Sequence, residues 1–254
     1  MNTVTVKNTV LGEGRPKIAV PLAAEDSDGL QSALQGLQGL PFDVAELRAD
    51  FLKQAADAGY VMDCLRQVRA ALPDKPLLFT FRRAEEGGRC PVAQDDYFAL
   101  VQAAIRSGWA DMVDIELFAG EAQVKESAAL AKSHGVAALL CNHDFDATPP
   151  KEEIIARLQT MQDWGADICK IAVMPQSPAD VLVLLDAAQT MFRHYAKQPL
   201  VAVAMGKMGV ISRLAGGTFG SAMTFGAATK ASAPGQIAVN DLRTVLDILA
   251  DEAV

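Results

Sequence analysis

The sequence predicts an α/β fold, a single (β/α)₈ TIM barrel with an N-terminal β-hairpin, over residues 1–254. Three observations predict it: short apolar β-type segments alternate with longer helical patterns, eight such segments occur, and several are apolar on both faces. Parallel strands that are covered by helices have this continuous apolar character. Eight βα repeats in about 250 residues favour a closed barrel over an open sheet.

The elements follow one another in a regular order. Before the first strand, a Gly-Glu-Gly turn separates two β-rich pieces, which we interpret as a hairpin that caps the barrel floor. The strand candidates are Lys17–Leu22, Asp43–Arg48, Leu77–Arg82, Met112–Leu117, Ala137–Asn142, Ile168–Met174, Leu200–Met205 and Ser221–Phe225. Helical patterns lie between most of them: Ser27–Leu37, Asp95–Ser107, Ala122–His134, Lys151–Trp164, Pro178–Tyr195 and Val239–Ala250. Strict alternation of this kind implies βαβ units and a parallel sheet.

Composition limits the partners of the chain. Half of the 254 residues are hydrophobic, so one domain can bury a sizeable core. The net charge of −8 argues against nucleic acid or an anionic membrane as the main partner. A few local arginines can still bind an anionic substrate inside a cleft.

The cysteines and the N-terminal segment indicate the cellular compartment of the protein. The four cysteines are widely spaced and form no CxxC pair, which is typical of reduced cysteines in a cytoplasmic protein. The first ten residues contain no apolar signal core, and no stretch approaches the roughly 20 apolar residues that cross a bilayer. We therefore expect a soluble, cytoplasmic protein.

Polar residues gather where the predicted strands end. In parallel α/β barrels the active site lies at the carboxyl ends of the strands, so these residues should converge on one mouth. They are Glu46, Arg48, Arg82, Glu116, Asn142, His143 and Lys170.

Lys170 lies in the apolar strand segment ICKIAVMP, with no charged neighbour in sequence. Burial there favours the neutral amine, which is nucleophilic and can condense with a ketone or aldehyde to form an imine. The alternative is a lysine that extends to the barrel rim or pairs with a carboxylate.

His143 ends the preceding strand, in CNHDF, beside the strand that carries Lys170. Histidine exchanges protons near neutral pH, so it is a candidate acid–base group. A structural histidine is the alternative. The other two histidines, His134 and His194, fall in helical patterns that we expect to be exposed.

Two further charged segments are candidates. Arg82 and Glu86 fall in TFRRAEEGG, a charged loop that could fold over the mouth or could simply be solvated. Glu46 and Arg48 alternate with Leu47, so both face the same side of their strand. If that side is the barrel interior, they must be paired or bind something, because unpaired buried charge is costly.

The last two loops of such barrels often bind an anion. Arg213 follows a Gly-rich turn after the seventh strand, and Ser232 and Gln236 flank a Pro-Gly turn after the eighth. Arginine suits a carboxylate because its planar fork donates two parallel hydrogen bonds. Phosphate is the competing ligand, for which Gly216-Gly217 is weak support.

Cofactor motifs are scarce. The chain has three dispersed histidines and no HxH, HExxH or Asp-rich cluster, so we expect no catalytic metal. No GxGxxG or P-loop pattern follows a strand, which leaves nucleotide binding with little support.

Six motifs taken together resemble type I 3-dehydroquinate dehydratase over nearly the whole chain. They are ELR after the second strand, TFR…EGG after the third, NHDF after the fifth, KIAVMP in the sixth, MGKMGVISR after the seventh and SAPGQ near the end. The resemblance implies an enzyme of the shikimate pathway and aromatic amino acid biosynthesis that needs no metal or organic cofactor. It also implies a homodimer.

The resemblance assigns roles residue by residue. It implies that Lys170 forms a Schiff base with the C3 ketone of 3-dehydroquinate, and that His143, paired with Glu86, moves the protons of a syn elimination to 3-dehydroshikimate and water. It implies that Arg213 holds the substrate carboxylate. The remaining residues implied to bind ring hydroxyls and carboxylate are Glu46, Arg48, Arg82, Ser232 and Gln236.

Two other functions compete with this one. A class I aldolase would use the same lysine but would bind a phosphorylated sugar at the last two loops. A non-catalytic module for a shikimate-pathway metabolite would have lost a catalytic residue, whereas Lys170 and His143 are both present.

Overall fold

The computed structural model describes residues 2–228 and 232–250 as one parallel barrel with a small hairpin in front of it. The hairpin strands are β1 (Val4–Val6) and β2 (Thr9–Leu11). The barrel strands are β3 (Lys17–Leu22), β4 (Val44–Arg48), β5 (Leu77–Thr80), β6 (Met112–Glu116), β7 (Ala137–Asp144), β8 (Ile168–Val173), β9 (Leu200–Ala204) and β10 (Met223–Ala227). A two-residue strand, β11 (Ile237–Ala238), pairs in parallel with β10.

Helices follow almost every strand and cover the outside of the barrel. They are α1 (Ser27–Gln35), α2 (Ala58–Ala71), α3 (Gln94–Arg106), α4 (Glu121–Ser133), α5 (Lys151–Asp163), α6 (Pro178–His194), α7 (Val210–Leu214) and α8 (Val239–Ala250). Among the described residues, no helix is long and apolar enough to cross a membrane. The α/β alternation predicted from sequence is confirmed, with α2 and α7 added in intervals where no helix was predicted.

The barrel closes between its last and first strands. Strands β3 to β9 pair in sequence order, and β10 pairs with β3. On the other side, Leu200 of β9 forms a parallel bridge with Ser221, just before β10, and the N–H of Ala222 donates to the carbonyl of Leu200 at 2.7 Å. The predicted closed (β/α)₈ barrel is therefore confirmed. The single domain over residues 1–254 stays a prediction, because residues 1, 229–231 and 251–254 lie outside the described part.

The N-terminal hairpin is present, but its turn is not where the sequence placed it. Val6 pairs with Thr9, so the turn is Lys7-Asn8, and Lys7 adopts a φ of 50°. The Gly-Glu-Gly segment follows the second strand instead. Val6 and Leu11 are buried together with residues at the beginnings of the barrel strands, such as Val44 and Leu78. The hairpin therefore caps the floor of the barrel, as predicted.

Two apolar layers hold the barrel, one inside it and one between strands and helices. Each fully buried aliphatic or aromatic side chain contributes about 1.5–3 kcal/mol of transfer free energy. Tyr97 of α3 is fully buried in the outer layer, and its hydroxyl accepts a hydrogen bond from the N–H of Glu116 at 2.9 Å. This contact anchors the carboxyl end of β6, where the candidate site begins.

Candidate active site

One cavity of about 270 Å³ opens at the carboxyl ends of the barrel strands. Residues from most of the strand ends and from the loops after them form its wall. All nine candidate site residues predicted from the sequence line it: Glu46, Arg48, Arg82, Glu86, His143, Lys170, Arg213, Ser232 and Gln236. The convergence on one mouth that the strand pattern predicts is therefore present in the structure.

Lys170 is buried on β8, with 5% of its surface exposed. Its Nζ lies 4.6 Å from the centre of the Phe225 ring and 3.6 Å from Oδ2 of Asp114 on β6. The predicted burial is confirmed, but the amine is not remote from charge, because β6 brings a carboxylate to it. The amine therefore has an aromatic ring on one side and a carboxylate on the other.

His143 is fixed by Glu86 at the end of β7. Both its backbone N–H and its Nδ1 lie 2.9 Å from Oε2 of Glu86. Because Nδ1 faces the carboxylate, Nε2 is the ring nitrogen available to a substrate. Burial, reinforced by the charges of Arg82 and Lys170, lowers the pKa of His143 well below its ordinary value. The imidazole is therefore neutral at neutral pH and can accept a proton.

Glu86 is itself an unusual carboxylate. Burial and the neighbouring Glu116 raise its pKa to about 8, against the opposing effects of Arg82, Asn142 and the backbone of His143. Glu86 is buried, with 6% of its surface exposed. Nδ2 of Asn142 and the backbone N–H of His143 donate hydrogen bonds to its carboxyl oxygens. Because Glu86 and Glu116 are neighbouring buried carboxyls, the two do not ionise independently of each other.

Arg82 is the centre of a buried charge network below the cavity. Its Nη2 donates to both carboxylate oxygens of Asp114 at 2.8 Å, and its Nη1 donates to Oε1 of Glu116 at 3.0 Å. Burial opposes ionisation of Asp114, but Arg82 and Lys170 outweigh it and hold the pKa of this carboxyl below its ordinary value. Since most donors of Arg82 are engaged inside the protein, its direct binding of substrate stays a prediction.

Glu46 and Arg48 project from the same face of β4, as the alternation predicts. One edge of the Arg48 guanidinium, Nε and Nη2, donates to the two carboxylate oxygens of Asp50, with Nε–Oδ1 and Nη2–Oδ2 distances of 2.9 Å. Oε1 of Glu46 accepts a hydrogen bond of 2.7 Å from the hydroxyl of Thr80. The requirement that these buried charges be paired is met for Arg48 by Asp50, a residue that the sequence analysis did not single out.

Arg213 reaches the cavity from α7 and is 2% exposed. Its Nη2 donates to the carbonyl of Pro234 at 3.0 Å, and its buried Nε has no hydrogen-bond partner. Among the described residues it forms no ion pair, and burial lowers its pKa to about 10. A buried cation beside a cavity, without a carboxylate to balance it, suits an anionic ligand.

Ser232 and Gln236 support each other next to Arg213. The N–H of Ser232 donates to Oε1 of Gln236 at 2.8 Å, and Nε2 of Gln236 donates to Oγ of Ser232 at 3.1 Å. Both are half-buried and line the cavity wall. They add neutral hydrogen-bonding groups beside the arginine.

Sequence reasoning missed Asp114 and the amide role of Asn142. Asp114 stands two residues before Glu116 in the strand segment MVDIE, so both side chains face the barrel interior. This alternation was the sequence feature that could have identified Asp114 as a site residue. Asn142 donates from Nδ2 to Oε1 of Glu86 at 3.2 Å.

One set of atoms in the site resembles a metal-ligand group. Donor atoms of Glu86, Cys141 and His143 lie within 4.8 Å of one another. However, Nη1 of Arg82 lies 3.1 Å from Sγ of Cys141 and 3.7 Å from Oε2 of Glu86. Burial also raises the pKa of the Cys141 thiol well above its ordinary value. A guanidinium among the donors and a protonated thiol do not fit a metal cation, and metal-free catalysis stays a prediction.

Comparison with known proteins gives consistent matches. A family model described as type I 3-dehydroquinase matches residues 18–253. The 3-dehydroquinate dehydratase of Neisseria gonorrhoeae is 56% identical over 251 residues, which cover 99% of this chain and 98% of that protein. That of Escherichia coli is 53% identical over 249 residues, which cover 98% and 99%. A crystal structure of the type I enzyme from Clostridium difficile, with covalently modified comenic acid, has a TM-score of 0.95 at 44% identity and covers 98% of both chains.

Proposed function

The chain belongs to the type I 3-dehydroquinase family, and from this premise we propose that it is a 3-dehydroquinate dehydratase that works through a Schiff base on Lys170. One observation carries the proposal: a buried lysine and a neutral, carboxylate-bound histidine line the same cavity, on adjacent strands of the barrel. The first group can form an imine with a ketone, and the second can move a proton beside it.

Each proposed step conserves atoms and charge. The amine of Lys170 adds to the C3 carbonyl of 3-dehydroquinate, and the carbonyl oxygen leaves as water. The imine nitrogen takes up one proton from solvent, which is released again when the imine is hydrolysed. Nε2 of His143 takes a proton from C2, and the electron pair moves into the protonated imine to give a neutral enamine. The pair then returns, the C1–O bond breaks, and His143 gives its proton to the departing hydroxyl. Water finally hydrolyses the imine, which releases 3-dehydroshikimate and Lys170.

The charge network below the cavity supports this sequence of steps. Asp114, 3.6 Å from Nζ of Lys170, provides a fixed negative charge for the cationic imine. Oε2 of Glu86, 2.9 Å from Nδ1 of His143, holds the imidazole in place while Nε2 carries the C2 proton. Preorganised charges of this kind need no rearrangement when the reacting groups change charge.

Reductive trapping tests the proposed function. We expect 3-dehydroquinate and borohydride together to inactivate the protein and to leave a stable adduct on the peptide that contains Lys170. Borohydride without substrate is the control. Turnover without any adduct would mean that the ketone is activated in another way. Neither adduct nor turnover would favour the aldolase or the non-catalytic module.

Replacement of Arg213 tests the carboxylate site. Arg213→Ala should raise KM strongly and change kcat less, because the carboxylate loses its buried partner at a cost of about 2–5 kcal/mol. Arg66→Ala, on the exposed side of α2, is the matched control and should leave KM unchanged. An unchanged KM in Arg213→Ala would remove this residue from the site. Inorganic phosphate should not compete with substrate; strong competition would support a phosphorylated ligand.

The resemblance also implies a cytoplasmic homodimer in the shikimate pathway. These properties remain predictions for this chain. Sedimentation of the purified protein tests the assembly directly.

A further inference from the structure

The two carboxylate oxygens of Glu86 have different donors. Oε2 accepts from the backbone N–H and Nδ1 of His143. Oε1 accepts one hydrogen bond from the described residues, that of Nδ2 of Asn142 at 3.2 Å. The orientation of the carboxylate plane therefore depends on Asn142 as well as on His143.

Asn142 can serve as a donor only if its amide is held in one of two orientations. A primary amide that turns by 180° exchanges its NH₂ for its oxygen. The oxygen would repel the Glu86 carboxylate. Nη1 of Arg157 donates to Oδ1 of Asn142 at 2.7 Å, which fixes the oxygen on the side away from Glu86. Because Arg157 is purely a donor, this contact specifies the orientation of the amide.

Arg157 is held firmly, and it lies outside the substrate cavity. It projects from α5, its side chain is 16% exposed, and it stacks over the ring of Phe118 at 5.4 Å. Its other guanidinium nitrogen pairs with Glu153, and Asp144 lies 3.7 Å away. It lines a separate groove on the outer side of the Glu86–His143 pair. The described hydrogen bonds connect it to Glu86 through Asn142.

We propose that Arg157 is a positioning residue for proton transfer: by fixing the amide of Asn142, it holds the Glu86 carboxylate against Nδ1 of His143. The inference rests on the proposed function, because it assigns Arg157 to the elimination that His143 performs. Imine formation on Lys170 involves neither Arg157 nor Asn142. The proposal therefore predicts that a variant without Arg157 still forms the imine.

The same contacts predict a change in pH dependence. The hydrogen bond from Asn142 is one of the effects that oppose the raised pKa of Glu86. Without Arg157 that bond weakens, so Glu86 ionises at higher pH and its carboxylate supports His143 over a narrower range. The charged and titratable groups that also face this pair, and that stay unchanged in the variant, are Arg48, Arg82, Glu116, Cys141 and Lys170.

The test compares Arg157→Met with Glu153→Gln. Methionine keeps the apolar stem over Phe118 but donates no hydrogen bond, whereas Glu153→Gln removes the outer ion pair and leaves the bond to Asn142. We expect Arg157→Met to lower kcat about tenfold, with KM and the trapped Lys170 adduct unchanged. The rise of kcat with pH should also move to higher pH. Arg157→Lys, which keeps a donor, should recover part of kcat.

A second variant covers the case in which Arg157→Met does not fold. Asn142→Asp keeps an acceptor for Arg157 and turns a second carboxylate oxygen toward Glu86, so kcat should fall with the adduct retained. If wild-type protein forms the adduct and Arg157→Met matches Glu153→Gln in kcat and pH profile, the positioning role is wrong. If wild-type protein forms no adduct, the proposed function itself fails. The two failures are therefore distinguishable.

Discussion

Lys170→Met should reduce turnover of 3-dehydroquinate by on the order of 10⁶-fold, the scale seen when a covalent nucleophile is removed. Methionine retains an apolar stem against Phe225, so the wall of the cavity keeps its shape. The electron sink is lost, because no imine can form and the proton at C2 must leave toward a neutral ketone. The variant should still bind substrate through the unchanged groups, but borohydride should trap nothing.

The control for this experiment must separate loss of chemistry from loss of fold. Removing the side-chain nitrogen of Lys170 leaves Asp114 bound to Arg82, through bonds of 2.8 Å that the substitution does not touch. We therefore expect a modest change in Tm and an unchanged circular dichroism spectrum. Lys132→Ala, at an exposed position of α4, should retain full turnover. Appreciable turnover by well-folded Lys170→Met would contradict the Schiff-base mechanism.

The strands and the residues at the mouth of the barrel could be predicted from the sequence because both depend on local patterns. Apolar runs covered on both faces indicate parallel strands, and polar residues at their ends indicate the catalytic edge. Helix α2 was missed, although Asp57 caps its first turn by accepting a hydrogen bond from the N–H of Tyr60. The hairpin turn was misplaced because glycines attract a turn prediction, whereas the structure turns at Lys7 and Asn8.

The charge network could not be read from the sequence because it depends on strand register. Asp114 lies 32 residues after Arg82, and only the pairing of β5 with β6 brings the two side chains together. The pairing of β6 with β7 and of β7 with β8 likewise brings the Asp114 carboxylate within 3.6 Å of Lys170. The apolar residues next to Lys170 in sequence thus predicted that it is buried, but they did not predict which charged groups surround it.

His143→Ala should separate imine formation from elimination. The ketone can still condense slowly with Lys170, but no group remains to take the proton from C2 or to protonate the leaving hydroxyl. Loss of acid–base catalysis lowers kcat by about 10²–10⁴-fold. Because imine forms and does not react further, borohydride should trap an adduct that is one water heavier than the product-derived adduct of the wild-type protein. Intact mass and peptide mapping measure both species.

Two comparisons make this result specific to the proton transfer. His134→Ala, at an exposed position at the end of α4, removes an imidazole far from the cavity and should not alter turnover. Glu86→Gln keeps the imidazole but removes the charge that stabilises it after it has taken a proton, so its kcat should lie between those of wild-type protein and His143→Ala. Normal turnover by His143→Ala would refute the role of His143. A product-derived adduct alone would show that elimination proceeds without it, and the search for the base would then move to Glu46, which lines the same cavity.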